Sequence, residues 1–257
     1  MESVPLSEEE IRLALKLGQL AGRCLQASRP RIEIPDRSIT WETEPGSWAV
    51  LPASFNPPTL AHRYMAEWAL GRGGFQGVIL ILDLRHADKP SQNAHIVDRY
   101  LMAGLSFDLQ DRVLIGLSSH GLFLDKARAL SSFFPPSTAW SFLVGEDTAA
   151  RILDPKFYEN PPQELDTLFS EVSFVVFERP GVSLKRFPRR FPRVPTPKHI
   201  QGVSSSWVRT RRSLHLPWEE FVCKEVAQFI ERTGLYLPEP SPYGTRRRRL
   251  EELFGGP

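Results

Sequence analysis

Apolar residues recur along this chain in two rhythms. The first is helical. Ile11, Leu13, Leu17, Leu20 and Cys24 trace one face, and Ser7 with Glu10 forms a capping box ahead of them, which predicts a helix over about 8–26. Arg29 to Ser47 is rich in proline and charge and reads as a linker holding at most a short hairpin. From Trp48 the rhythm changes. Short unbroken apolar runs, Trp48–Pro52, Val78–Leu82, Val113–Leu117, Ser141–Val144 and Val172–Phe177, have the character of strands covered on both faces. Between them lie stretches with helical spacing: Thr59 to Leu70 with Leu60, Tyr64 and Trp68, then Val97, Leu101 and Leu105, then Asp125 to Phe134. A last helix is predicted from Trp218 to Thr233, opened by Pro217, closed by Gly234, with Val222, Val226, Phe229 and Ile230 inward.

Strands alternating with helices predict an α/β fold: a Rossmann-like, doubly wound parallel sheet with helices on both faces and an extra N-terminal helix. The predicted organisation is an N-terminal helical extension and linker over 1–46, one α/β domain over 47–237, and a disordered basic tail over 238–257, where Pro, Gly and charge dominate. Ligands of such sheets bind at the carboxyl ends of the strands. The segments following the strands, Ala53–Thr59, His86–Lys89, Ser118–His120, Gly145–Asp147 and Glu178–Pro180, are therefore where chemistry is expected.

Composition narrows the classes. The chain has 257 residues, 41% of them hydrophobic, and a formal net charge of +2, enough for a sizeable core and too neutral for bulk nucleic-acid binding. Basic residues are clustered locally, in 186–193, in 209–212 and in the run Arg246–Arg249, which reads as a solvated tail. Two cysteines, Cys24 and Cys223, at opposite ends of the chain suit unpaired thiols in a reducing compartment, and neither has neighbours at metal-ligand spacing. Glu8–Glu9–Glu10 is unlike a signal peptide, and no apolar run is long enough to span a bilayer, so a cytoplasmic protein with no membrane partner is expected. The amphipathic N-terminal helix is expected either to pack on the domain or to make a homo-oligomer contact.

The segment Ala53–Ser54–Phe55–Asn56–Pro57–Pro58–Thr59–Leu60–Ala61–His62 joins the first strand to the next helix. Its prolines end the strand, Thr59 is a natural N-cap, and the N–H groups of the helix start make an anion site. His62 falls in the first turn, where its imidazole can point at the same anion. Near the other end, Val203–Ser204–Ser205–Ser206–Trp207–Val208–Arg209 places hydroxyls, backbone N–H groups and a guanidinium at another helix start. Each segment alone is equally compatible with an ordinary capped surface helix.

Together they resemble the nucleotidylyltransferase superfamily. Ser54–Phe55–Asn56–Pro57–x–Thr59–x–x–His62 is similar to its (H/T)-x-x-H motif, closest to the form in nicotinamide and nicotinate mononucleotide adenylyltransferases, with Ala53 where those have Gly. Ser204–Ser205–Ser206–x–x–Arg209 is similar to their I-S-S-T-x-I-R, with Ser206 for Thr. Gly145–Glu146–Asp147 resembles their G-G/A-D, and Gly234–Leu235–Tyr236 their closing Leu-Tyr pair. The resemblance implies transfer of AMP from ATP, a co-substrate carried with Mg²⁺, to a pyridine mononucleotide. His62 and Arg209 would be catalytic. Ser54, Phe55, Thr59, His62, Lys89, Gly145, Asp147, Ser204, Ser205, Ser206 and Arg209 would bind ATP. Asn56, Trp207 and Phe123 would meet the acceptor, and no dedicated protein cage for the metal is implied. Arg99 is carried as a weaker parallel. The threonines that many bacterial relatives place before the fourth strand are absent from Gly121–Ala127. Two alternatives stay open: a related transferase with another acceptor or a CTP donor, and a nucleotide-binding regulator or ATP hydrolase.

Overall fold

A computed structural model of the chain describes residues 5–35, 46–84, 94–107, 112–179, 181 and 187–255. Five apolar runs become central strands: β2 (Ser47–Pro52), β3 (Gly77–Asp83), β4 (Val113–Ser118), β5 (Ala139–Gly145) and β6 (Ser173–Phe177). They pair in parallel, flanked by β1 (Ile32–Glu33), antiparallel to β4, and β7 (Arg193–Val194), parallel to β6. The order is β1-β4-β3-β2-β5-β6-β7. β3 shows why its run is unbroken. Val78, Leu80 and Leu82 enter one core, while Ile79 and Ile81 enter the other. A strand covered on both faces has no polar side to alternate with.

One face is covered by α1 (Glu8–Gln26), α2 (Leu60–Leu70) and α3 (Ile96–Phe107), the other by α4 (Phe123–Leu130), α5 (Glu146–Ile152) and α6 (Pro161–Glu171). A third cluster joins α3 to α8 (Lys224–Thr233) through Met102, Trp218, Val226, Phe229 and Ile230. α7 (Ser205–Ser213) carries the arginine motif. The chain reverses its direction of winding between β2 and β5, and 53–59 and Gly145–Asp147 follow the carboxyl ends of these two strands, the switch point at which sheets of this kind bind ligands.

Two expectations are corrected, and one helix appears that no pattern predicted. The linker contributes an edge strand, β1, held on β4 by Ile32 and Glu33 opposite Ser118 and Leu117. α6 was not legible in the sequence. Most important, the stretch read as a disordered tail contains α9 (Pro242–Phe254). α9 buries Tyr243, Arg246 and Leu250 and packs along α1, so closely that a Cβ on Gly18 would lie 2.6 Å from the Phe254 carbonyl oxygen. Of the two roles foreseen for α1, it takes packing on the domain, burying Ala14, Leu17 and Leu20. No helix among the described residues is long and apolar enough to cross a membrane.

Candidate active site

The loop after β2 is held from several sides. Phe55 takes a left-handed backbone conformation (φ 46°), uncommon for a bulky side chain and a place where the surrounding structure must fix the turn. Its ring is buried and packs on the His62 imidazole at 5.4 Å and on Phe107 at 5.9 Å. The Ser54 carbonyl accepts from the buried Arg99 guanidinium at 3.1 Å. Ala53, the residue that departs from glycine, donates its N–H to Ile81 at 3.1 Å and rests its methyl against the core.

His62 sits where the sequence placed it, three residues past the N-cap. Its Nδ1 accepts from the Thr59 backbone N–H at 3.0 Å and lies 2.8 Å from the Thr59 hydroxyl. A nitrogen that accepts from a backbone N–H carries no proton. The neutral ring therefore holds its proton on Nε2, as a donor. Burial, reinforced by the Arg179 guanidinium and opposed by Asp147, holds the imidazole down to about 4, against an ordinary 6.5. The ring is a neutral N–H donor near pH 7.

This depression has a consequence for stability. Burial also brings His95 down to about 4. The unfolded chain takes up a proton on each ring as pH falls through 6.5, whereas the folded chain refuses until about 4. Stability contributed by these rings is therefore present at neutral pH and is lost as pH falls through that window. The urea midpoint should fall between about pH 7 and pH 5, and the slope should shrink in His62→Gln. An unchanged slope would refute the assigned charge state.

Two bonds tie α7 to the loop. Ser205 Oγ donates to the Pro57 carbonyl at 2.7 Å, and Arg209 donates to the Asn56 carbonyl at 2.6 Å. Burial, partly offset by Tyr236, lowers the Arg209 pKa from its usual value. One donor is spent on Asn56, and a guanidinium has five. Ser204 caps α7 by accepting from the Trp207 N–H at 3.2 Å, and Ser206 lies exposed on the first turn. Thus the helix start bearing Ser204, Ser205 and Arg209 abuts the loop bearing Ser54, Phe55, Thr59 and His62.

At the end of β5, Gly145 caps α5. A Cβ there would lie 2.7 Å from Asp147 Oδ1, so glycine lets that carboxylate fold back over the helix start. Asp147 lies 3.5 Å from the Arg179 guanidinium. Glu146, where relatives of this motif carry a small residue, is buried. It accepts from the Arg179 backbone N–H at 2.7 Å and faces Arg193 at 3.6 Å, joining the ends of β6 and β7. Arg179 was missed by the sequence reading. It reaches Asp147 and donates to the Val203 carbonyl at 2.9 Å, linking the end of β6 to the segment preceding α7. Only its place just after a parallel strand hinted at it.

The three residues expected at an acceptor fare differently. Asn56 is buried, and its Oδ1 accepts from the Tyr236 hydroxyl at 2.8 Å and the Ala94 N–H at 3.2 Å, so its side chain braces the loop. Phe123, partly buried, packs edge-on against Phe142 at 5.2 Å and Phe174 at 5.6 Å at the margin of the core. Trp207 meets Phe221 edge to face at 4.4 Å, with the Arg211 guanidinium over its ring at 4.6 Å. Two residues apart on a helix do not share a face, and Arg209 takes the face toward the loop. Trp207, still partly exposed, therefore lies on a different face of α7 from Arg209. Lys89 lies outside the described residues.

Residues 50–211, more than half of the chain, match the model of the cytidylyltransferase-like family. The chain belongs to this nucleotidylyltransferase family. A Schizosaccharomyces pombe protein provisionally named a nicotinamide mononucleotide adenylyltransferase is 34% identical over 153 residues, 58% of this chain. The match spans only 56% of that relative's length. A Moorella thermoacetica protein, provisionally named a nicotinate-nucleotide adenylyltransferase, is 25% identical over 76% of this chain and 94% of its own length. The fold is that of the Plasmodium falciparum nicotinic acid mononucleotide adenylyltransferase, solved in complex with NaAD (TM-score 0.61, 16% identity, 74% of this chain and 97% of that one) and with APC (TM-score 0.58, 15% identity, the same shares). Both family motifs of this chain, at His62 and Arg209, fall inside the matched range; α1, α8 and α9 fall outside it.

Proposed function

We propose that this chain is an adenylyltransferase that moves AMP from Mg·ATP to nicotinamide or nicotinate mononucleotide and releases pyrophosphate. The observation that carries the reading is the pair of bonds from α7 to the loop, Ser205 to Pro57 and Arg209 to Asn56, which set a guanidinium and a neutral imidazole around one helix start at the switch point of the sheet.

An oxygen of the acceptor's phosphate attacks the α-phosphorus of ATP; the bond from that phosphorus to the bridging oxygen of the β-phosphate breaks, and pyrophosphate leaves with its electron pair. A phosphate is already an adequate nucleophile, so the protein supplies position and charge stabilisation. Nε2–H of His62 donates to the α-phosphate as charge grows on its oxygens. Backbone N–H groups of Ser54, Phe55 and the helix start at Thr59 cradle the phosphates. Arg209, with Ser204, Ser205 and the exposed Ser206, holds the departing β- and γ-phosphates. Gly145 and Asp147 receive the ribose, and Arg179 orients Asp147.

The carboxylate at this end, Asp147, is half exposed and paired with Arg179. That suits a small hard cation which takes most of its ligands from phosphate oxygens and water. Mg²⁺, when bound, neutralises phosphate charge; Asp147 is the group of this chain that would approach it.

Incubation with Mg·ATP and a panel of mononucleotides tests the reading. A dinucleotide with equimolar pyrophosphate is expected from a pyridine mononucleotide. A product with another acceptor, or from CTP, selects a sister transferase, and phosphate release alone selects a hydrolase or regulator. Arg209→Ala should raise the KM for ATP roughly tenfold or more, because a charge-assisted contact to the triphosphate is lost. An unchanged KM would remove Arg209 from that role.

A further inference from the structure

A buried polar cluster that the proposed reaction does not use joins α9 and α1, outside the region that matches the family, to α3 within it. Arg246 of α9 has only 3% of its side chain exposed. Its Nη2 donates to Asp98 Oδ1 at 2.7 Å and to Glu10 Oε1 at 2.9 Å, and its Nε donates to Asp98 Oδ1 at 3.0 Å. Glu10 is divided between two tasks: its other oxygen accepts from the Ser7 N–H at 2.8 Å and closes the capping box of α1. Asp98, fully buried in the first turn of α3, also accepts from the Tyr243 hydroxyl at 2.8 Å, and that hydroxyl accepts from the His95 N–H at 2.6 Å. Both terminal helices therefore grip the start of α3.

The same short stretch of α3 grips the phosphate loop from the opposite side. The Ala94 N–H holds Asn56 Oδ1, and Arg99, next to Asp98, holds the Ser54 carbonyl. Tyr236, between α8 and α9, closes on Asn56 as well. A buried guanidinium shared by two carboxylates fixes direction more strictly than an apolar contact, because each donor must meet its acceptor or leave a buried charge unpaired. From Arg246 to Ser54 the path is continuous: Asp98 and His95 on one side of the α3 start, Ala94 and Arg99 on the other.

We propose that Arg246 and Tyr243 are positioning residues of the nucleotide site: by fixing the first turn of α3 they set the shape of the loop 54–56. The link to nucleotide rests on the reading that this loop binds the triphosphate. The positioning itself does not, and it makes α9 and α1 working parts of the site.

The test uses the full chain in two variants. Arg246→Met with Asp98→Asn removes the guanidinium and the fully buried carboxylate together and leaves Glu10 facing Arg232 at 3.9 Å. Tyr243→Phe keeps the ring and deletes only the hydroxyl between His95 and Asp98. Amide hydrogen exchange is followed without nucleotide, and Mg·ATP affinity is measured by calorimetry. Exchange at 94–99 and 53–60 should rise about tenfold in both variants while β3 and β5 stay protected, and Mg·ATP binding should weaken by a similar factor. Arg249→Met, which breaks only an exposed pair with Glu252 on the same helix, should change neither. If the double variant loses protection throughout, Tyr243→Phe alone decides. Wild-type exchange at 53–60 in Tyr243→Phe overturns the proposal. A wild-type chain that fails to bind Mg·ATP refutes the nucleotide reading instead, and the exchange result still judges the positioning.

Discussion

His62→Ala is expected to lower turnover by about two to three orders of magnitude while changing ATP affinity little. On the proposed reading, Arg209, the serines of α7 and backbone N–H groups would hold the triphosphate in the ground state, and the substitution removes none of them. What is lost is a donor aimed at oxygens whose charge grows only as the α-phosphorus is attacked. An interaction made mainly in the transition state appears in kcat. His62→Asn, which keeps an N–H donor on a shorter arm, should recover part of the loss. His62→Ala also deletes the acceptor of the Thr59 N–H, so exchange at that amide should rise. Pyrophosphate release under saturating ATP measures the effect; wild-type turnover in the alanine variant would contradict the assignment of His62.

Lys126→Met is expected to cost about 3–5 kcal/mol of stability, the range for leaving one partner of a buried ion pair alone. Lys126 has 1% of its side chain exposed, and its Nζ serves three oxygens: Asp83 at 2.9 Å, the His120 carbonyl at 2.9 Å and the Gly121 carbonyl at 2.7 Å. Burial lowers the Lys126 pKa and raises that of Asp83, each opposed by the partner's charge, which marks a pair that folding has largely desolvated. Methionine fills the space but leaves a carboxylate and two carbonyls without their cation. Asp83→Asn in the same chain should restore a substantial part, because it removes the orphaned charge. Denaturant unfolding checks both variants. A loss of less than about 1 kcal/mol for Lys126→Met would mean that water reaches the pair.

The five central strands were legible because each is buried on both faces and leaves an unbroken apolar run. β1 was not: two residues pairing at a sheet edge leave no periodicity, and only their distant partners on β4 define them. α6 hides because Leu168 alone is buried on it. α9 misled for a sharper reason. Its inward face carries a guanidinium, a phenol and one leucine, so composition reads as a solvated tail while the charge is neutralised by Asp98 and Glu10, from the first turns of α3 and α1. The place of His62 was legible because its partner, Thr59, is three residues away. The brace that Asn56 makes was not legible, for the opposite reason. Its side chain answers to Tyr236 and Ala94, far along the chain, and no local pattern announces such a brace. Arg179 belongs to the same class: strand order alone brings it to Asp147.

The most direct test of the site is the ring of His62, read by long-range proton–nitrogen NMR on the histidine-labelled chain. Near pH 7 the ring should be neutral with its proton on Nε2, and that nitrogen should shift on addition of Mg·ATP, less so in Arg209→Ala. A ring protonated on Nδ1, or one indifferent to Mg·ATP at saturation, would contradict the account.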